Sequence, residues 1–87
     1  GGPGASSLFS DQLETGPYDV FGNPRLYAWT NLTSMLYVDN PIGTGFSWAT
    51  PNGFSTTDED VADGLVRFVT LFMQRYPSYQ SVPLWIM

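Results

Sequence analysis

The stretch ending at Tyr76 carries Val61, Leu65, Phe68, Val69, Phe72 and Tyr76 at spacings of three and four. That pattern is one face of an α-helix, and a helix with an apolar stripe must rest on a neighbour. A short apolar run lies on either side, Ser34 to Asp39 and Val82 to Met87. Short apolar runs flanking an amphipathic helix read as buried strands, with Pro83 tolerated near the start of the second. The unit from Ser34 to Met87 is therefore a predicted β-α-β crossover joining parallel strands, and the fold class is α/β.

Local signals bound the central helix. Ser55-Thr56-Thr57 caps it, Thr56 with Glu59 fits a capping box, and Pro77 ends it. Asp58, Glu59, Asp60 and Asp63 favour the positive end of the helix dipole; they read as a cap and a solvated face, not as a metal site. A second, short helix is predicted over Ala5 to Glu14, capped by Ser6 or Ser7 and stopped by Gly16-Pro17. Residues 16–30 read as a packed irregular loop, and Asn40 to Trp48 as a turn-rich loop. In the latter, Gly43 and Gly45 take positive φ or allow close backbone approach.

Gly1-Gly2-Pro3-Gly4-Ala5-Ser6-Ser7 runs directly into the first helix start. Backbone N–H groups there have no intrahelical partner, so such a loop is a natural place to hold developing negative charge. Acyl-transfer enzymes need that feature for the tetrahedral oxyanion. Glycine turns without chemistry are more common, so the motif acquires meaning only from its company.

Charge and composition exclude several function classes. The net charge is −5, with no Lys and no His, and the only cations are Arg25, Arg67 and Arg75. No basic stripe for nucleic acid is present, and no anchor for anionic lipid. No apolar run reaches transmembrane length. The absence of Cys removes disulfides and thiolate metal sites, and no cofactor or metal is expected. Asn31-Leu32-Thr33 is a sequon, glycosylated only in a secretory lumen. The 87 residues start inside a glycine loop and end in an apolar run, so residues 1–87 are expected to be an internal piece of a single domain.

Taken in order, these residues resemble the serine carboxypeptidase family of the α/β-hydrolase fold, and most of all its vitellogenic-like branch. The resemblance spans the chain. It rests on Gly1-Gly2-Pro3-Gly4 with Ser6-Ser7, on Glu14 followed by Gly16-Pro17, and on Trp29. It continues through Leu36-Tyr37-Val38-Asp39-Asn40-Pro41-Ile42-Gly43-Thr44-Gly45-Phe46-Ser47, then Phe68, Phe72 and Tyr76-Pro77 with Tyr79. One departure is Ala5, at a position often held by a disulfide-bonded Cys. Another is Trp48, where many members carry Tyr or Phe.

The resemblance implies a Ser-His-Asp peptidase that removes C-terminal residues through an acyl-enzyme, favoured at acid pH. It implies a partial α/β-hydrolase fold here: oxyanion loop, short helix, strand, long helix, and a strand leading to the nucleophile elbow. Nucleophile, Asp and His all fall outside these residues, so the piece alone is expected to be inactive. Ser6, Ser7 and Ser47 are not nucleophile candidates, and Asp39 and Asn40 read as loop hydrogen-bonding residues. By resemblance, Gly2 supplies a backbone oxyanion-hole donor, while Gly1 (backbone N–H) and Glu14 (protonated carboxyl) grip the substrate's C-terminal carboxylate. A neutral acid can donate to that carboxylate where an ionised one would repel it. Phe9 and Leu13 fall where the family lines the pocket for the leaving residue, which implies an apolar preference.

Other readings stay open on the residues alone. Glu14 also fits a solvated helix end, and Phe9 and Leu13 fit core packing equally well. A family relative performing acyl transfer to an alcohol, and a homologue without catalysis that binds partners, are the alternatives to a peptidase. The substrate partner implied is a peptide or protein C-terminus. The implied location is the secretory pathway, ending in the lysosome or vacuole or outside the cell.

Overall fold

The computed structural model describes residues 4–87. The predicted cap at Ser55-Thr56-Thr57 opens its principal element, helix α2 at Asp58–Arg75, with Thr57 as the capping residue. The reciprocal cap is Thr57 with Asp60, one residue later than the expected Thr56–Glu59 pairing. The Asp60 N–H donates to Thr57 Oγ1 (3.1 Å) and the Thr57 N–H to Asp60 Oδ2 (3.1 Å). The shift has a local cause. Thr57 is the residue with extended φ/ψ (−132°, 164°), and Asp60 Oδ2 also accepts from the Thr56 N–H and hydroxyl. These donors, led by the Thr56 N–H, lower the Asp60 pKa below its ordinary value.

At the other end α2 stops at Tyr76, ahead of Pro77, whose ring forbids continuation. A 3₁₀ turn at Pro77–Tyr79 folds back on the helix. Phe72 packs on Tyr76 and Tyr79 with ring centroids 4.9 and 5.7 Å apart, and Gln80 Nε2 donates to the Met73 carbonyl (2.9 Å). Arg75 in the last turn complements the negative helix end and lies over the Tyr76 ring, 5.6 Å from its centroid.

The first helix is shorter and more irregular than the predicted span of Ala5 to Glu14. Helix α1 covers Leu8–Ser10 and passes directly into a π-helical turn at Asp11–Thr15. Gly4, at φ +114°, is itself outside helical backbone. The wider turn closes through the Gly16 N–H to the Asp11 carbonyl (2.9 Å), and Thr15 Oγ1 bonds the Tyr37 hydroxyl (2.8 Å). Gly16 is required sterically: a Cβ there would collide with the Asp11 carbonyl and carboxylate.

The two predicted strands do not form. Residues 34–40 and 83–87 carry no regular structure, and among the described residues β-type pairing is confined to the antiparallel Tyr18–Pro24 bridge. A strand exists only through a neighbour that accepts and donates its backbone hydrogen bonds, and these two runs do not pair with each other. The same lack shows in burial. Among the described residues only Gly16, Ala28 and Thr44 are buried, while Leu84, Trp85, Ile86 and Met87 are exposed. Of the α2 stripe, Val61, Leu65, Val69 and Phe72 are half-buried and Phe68 is exposed; Val66 and Leu71 on the same helix are also open.

Candidate active site

The best-organised part of the molecule lies where the N-terminal segment meets the loop after Val38. Asp39 is its centre. Asp39 Oδ1 accepts from Ser6 Oγ (2.8 Å), the Ser7 N–H (2.6 Å) and Ser7 Oγ (2.9 Å). Asp39 Oδ2 accepts from the Phe46 N–H (2.7 Å), and the Asp39 carbonyl accepts from Ser47 Oγ (2.6 Å). Four donors on one carboxylate favour its charged form. The Phe46 N–H first, then the Ser7 N–H and the Ser6 hydroxyl, hold its pKa down from the ordinary 3.8 to about 2.

This arrangement corrects one expectation. Ser7 stands at the N-cap of α1, but neither it nor Ser6 caps N2 or N3 in the usual reciprocal way. Both hydroxyls go to Asp39, with only a 3.3 Å contact from the Leu8 N–H to Ser6 Oγ. The negative charge beside this helix start is thus the protein's own carboxylate. The N–H of Ser7 is spent on it.

The loop from Asn40 to Ser47 is shaped by glycines, as expected. Gly43 has φ +92° and Gly45 φ +54°. A Cβ on Gly45 would lie 2.7 Å from Asp39 Cγ and 2.8 Å from Ser6 Cβ, and one on Gly43 would strike the Phe54 ring. Turn hydrogen bonds from the Thr44 N–H to the Pro41 carbonyl (3.0 Å) and from the Ser47 N–H to the Thr44 carbonyl (2.8 Å) complete it. The Asn40–Pro41 peptide is cis. Ile42 reaches α2 at Gly64, where a Cβ would make ordinary contact with Ile42 Cδ1 at 3.6 Å. Between this loop and α2 runs an open groove of about 540 Å³, with Leu8, Asp39, Phe46, Leu65, Arg67 and Phe68 among its walls.

Gly1 and Gly2 lie outside the described residues. Glu14 is exposed on the π-helical turn and accepts from Ser10 Oγ (2.7 Å). Phe9 and Leu13 are open on the same run, at 61% and 46% exposure, so they are not packed in a core here. The run carrying these three residues is braced from behind: Thr15 bonds Tyr37, and Arg25 donates to the Gln12 carbonyl. Arg25 is in turn placed by its own N–H to the Pro17 carbonyl (2.8 Å). Asn31 is exposed in a 3₁₀ turn at Trp29–Asn31, and its Nδ2 donates to the Leu26 carbonyl (2.9 Å). No group of three metal-ligating side chains occurs among the described residues.

Sequence reasoning took Asp39 as a loop residue but did not foresee that it ties two segments together. The available signal was an acid at the end of an apolar run, six residues before a glycine that needs room. The Arg25 brace left no signal at all, because its acceptor is a backbone carbonyl.

Comparison with known proteins gives a family. The profile described as serine carboxypeptidase matches residues 1–87. The chain is 42% identical to serine carboxypeptidase S10 family member 1 of Dictyostelium discoideum, over 99% of this chain and 22% of that protein. It is 41% identical to vitellogenic carboxypeptidase of Aedes aegypti, over 99% of this chain and 19% of that protein. It is 43% identical to the probable serine carboxypeptidase CPVL of Homo sapiens, over 93% of this chain and 18% of that protein. The chain therefore spans about a fifth of the length of these relatives.

Proposed function

Because the chain belongs to the serine carboxypeptidase family, whose fold is α/β-hydrolase, we propose that it is part of a serine-type carboxypeptidase. The enzyme removes C-terminal residues from peptides through an acyl-enzyme and works best at acid pH. The observation that carries this reading is the match of the family profile to every residue of the chain. Relatives named as serine carboxypeptidases, together with the pheromone-processing carboxypeptidase KEX1 of Tuber melanosporum, point the same way.

In this reading the chain supplies the electrostatic half of the site. The Gly2 N–H faces the oxyanion as the tetrahedral intermediate forms, and a second donor beside the nucleophile completes the hole. Gly1 and Glu14 grip the substrate carboxylate, which restricts cleavage to the last peptide bond. Exposed Phe9 and Leu13 line the pocket for the leaving residue and favour an apolar one. The unpaired runs 34–39 and 82–87 become parallel strands beside further strands of the same sheet, with α2 as the crossover between them. The second run leads to the nucleophile elbow. The sequon at Asn31 fits an enzyme of the secretory pathway, in the lysosome or vacuole or outside the cell.

The test is an assay of the complete protein on N-blocked peptides ending in Phe or Leu, with the C-terminus either free or amidated. Release of the last residue from the free acid, lost on amidation, is the expected result. Acyl transfer to an alcohol with no peptide cleavage would replace the proposal with an acyltransferase.

A further inference from the structure

We propose that Asp39 is a positioning residue for the reaction: its carboxylate fixes Ser6 and Ser7, and through them the glycine run that bears the oxyanion donor. The inference rests on the carboxypeptidase reading of Gly2. It goes beyond that reading in assigning a task to a residue remote in sequence from every catalytic group.

The argument is geometric. Three of the four donors on the Asp39 carboxylate come from Ser6 and Ser7, which lie 33 and 32 residues away along the chain. Both hydroxyls and one backbone N–H converge on a single oxygen, so neither serine can rotate or slide without losing a charge-assisted bond. The second oxygen takes the Phe46 N–H, which fixes the plane of the carboxylate. Gly45 closes the remaining side, since even a methyl group there would overlap Asp39 and Ser6. Position, plane and distance are thus all set by groups outside the N-terminal segment. Ser6 is four residues from Gly2 in the chain, with Gly4 at positive φ between them. Pinning Ser6 and Ser7 anchors the near end of the segment whose sequence carries Gly2, the proposed oxyanion donor. Misplacing a catalytic group by about 1 Å costs on the order of 100-fold in rate.

Asn at position 39 tests this sharply. It keeps the size of Asp but turns one acceptor oxygen into a donor, so it cannot serve both the serine cluster and the Phe46 N–H. In the complete enzyme, Asp39→Asn should lower kcat about 10- to 100-fold and leave KM within about twofold. Inhibition by a peptide aldehyde, whose tetrahedral adduct places an oxygen in the oxyanion hole, should weaken by the same factor as kcat/KM, while product inhibition stays unchanged. The double variant Ser6→Ala/Ser7→Ala removes both hydroxyls but keeps the Ser7 N–H, and should move kcat in the same direction by less. Asp60→Asn weakens the cap of α2 and serves as the control: a lower melting temperature with unchanged kcat.

A kcat for Asp39→Asn within about twofold of wild type, or an unchanged aldehyde affinity, overturns the proposal. If that variant does not fold, an unaltered kcat in the double serine variant does so instead. If the wild type neither releases C-terminal residues nor reacts with a phosphonofluoridate, the carboxypeptidase reading is what fails. Amide hydrogen exchange across residues 1–7 then tests the Asp39 anchor by itself: faster exchange in Asp39→Asn or the double variant sustains the anchoring of Ser6 and Ser7, and unchanged exchange overturns it.

Discussion

Replacing Gly45 with Ala introduces two separable costs. The first is conformational. Gly45 sits at φ +54°, where an L-residue is strained by about 1–2 kcal/mol. The second is steric. The new Cβ would strike Asp39 Oδ2 first and lie 2.7 Å from Asp39 Cγ and 2.8 Å from Ser6 Cβ, against 3.4 Å where ordinary contact begins, so the carboxylate must move away. Overpacking of this kind costs about 1–3 kcal/mol. Gly22 provides the reference: at φ +82° it carries the same conformational constraint, with nothing within 4 Å of an added Cβ. In urea unfolding of the complete protein, Gly22→Ala should lose about 1–2 kcal/mol and Gly45→Ala about 2–5 kcal/mol. Gly45→Asn separates the two costs further, because Asn tolerates left-handed backbone but keeps the Cβ. If collision dominates, Asn is as damaging as Ala. A Gly45→Ala loss no larger than that of Gly22→Ala would refute tight packing of Gly45 on Asp39.

The Asp39 carboxyl has a folded pKa of about 2 against an ordinary 3.8, so the folded state binds its proton less readily than the unfolded chain. Its contribution to stability is complete above 3.8 and is lost as pH falls towards 2. The stability gap between wild type and Asp39→Asn should therefore be constant from pH 7 to pH 5 and should narrow below pH 4 in acid titrations of both proteins. Gly64→Ala should stabilise α2 by about 0.5–1 kcal/mol, because its Cβ meets only Ile42 Cδ1, at 3.6 Å, and denaturant midpoints will show this. Glu14→Ala should raise KM for peptides with a free C-terminal carboxylate about 10- to 100-fold; steady-state kinetics on free and amidated peptides measure it.

The helix was legible and the sheet was not, for a physical reason. A helix satisfies its hydrogen bonds within its own span, so the α2 stripe, the Ser55-Thr56-Thr57 cap and the Pro77 stop sufficed to place it. A parallel strand borrows every ladder bond from a neighbour. The apolar character of 34–39 and 82–87 records that they are built for burial, but it cannot supply the partner. Turn chemistry lay between these cases. Positive φ or close approach at Gly43 and Gly45 was expected from two glycines in a turn-rich loop, while the choice of Thr57 with Asp60 over Thr56 with Glu59 depended on which threonine adopts extended backbone. At the candidate site, the resemblance named Gly1, Gly2, Glu14, Phe9 and Leu13. The Asp39 link escaped because donors more than thirty residues away leave no local spacing to read.

Three aspartates organise backbone in this chain, and they are not equivalent. Asp19 holds the Phe21 and Asn23 N–H groups of its own turn, and Asp60 caps its own helix. Each closes a loop of a few residues, so its loss frays one turn. Asp39 alone of the three bridges distant segments, and it does so where apolar burial is sparse. The glycines of this region mark the same junction: Gly45 faces Asp39 and Ser6, Gly43 faces Phe54, and Gly64 faces Ile42. Loop 40–47 thus meets the N-terminal segment through Gly45, the approach to α2 through Gly43, and α2 itself through the Ile42 side chain. At Gly45 there is no room for a methyl group, so a displacement of Asp39 is felt at Ser6 and Ser7. A carboxylate in that place transmits position, whereas one in a local turn only preserves it.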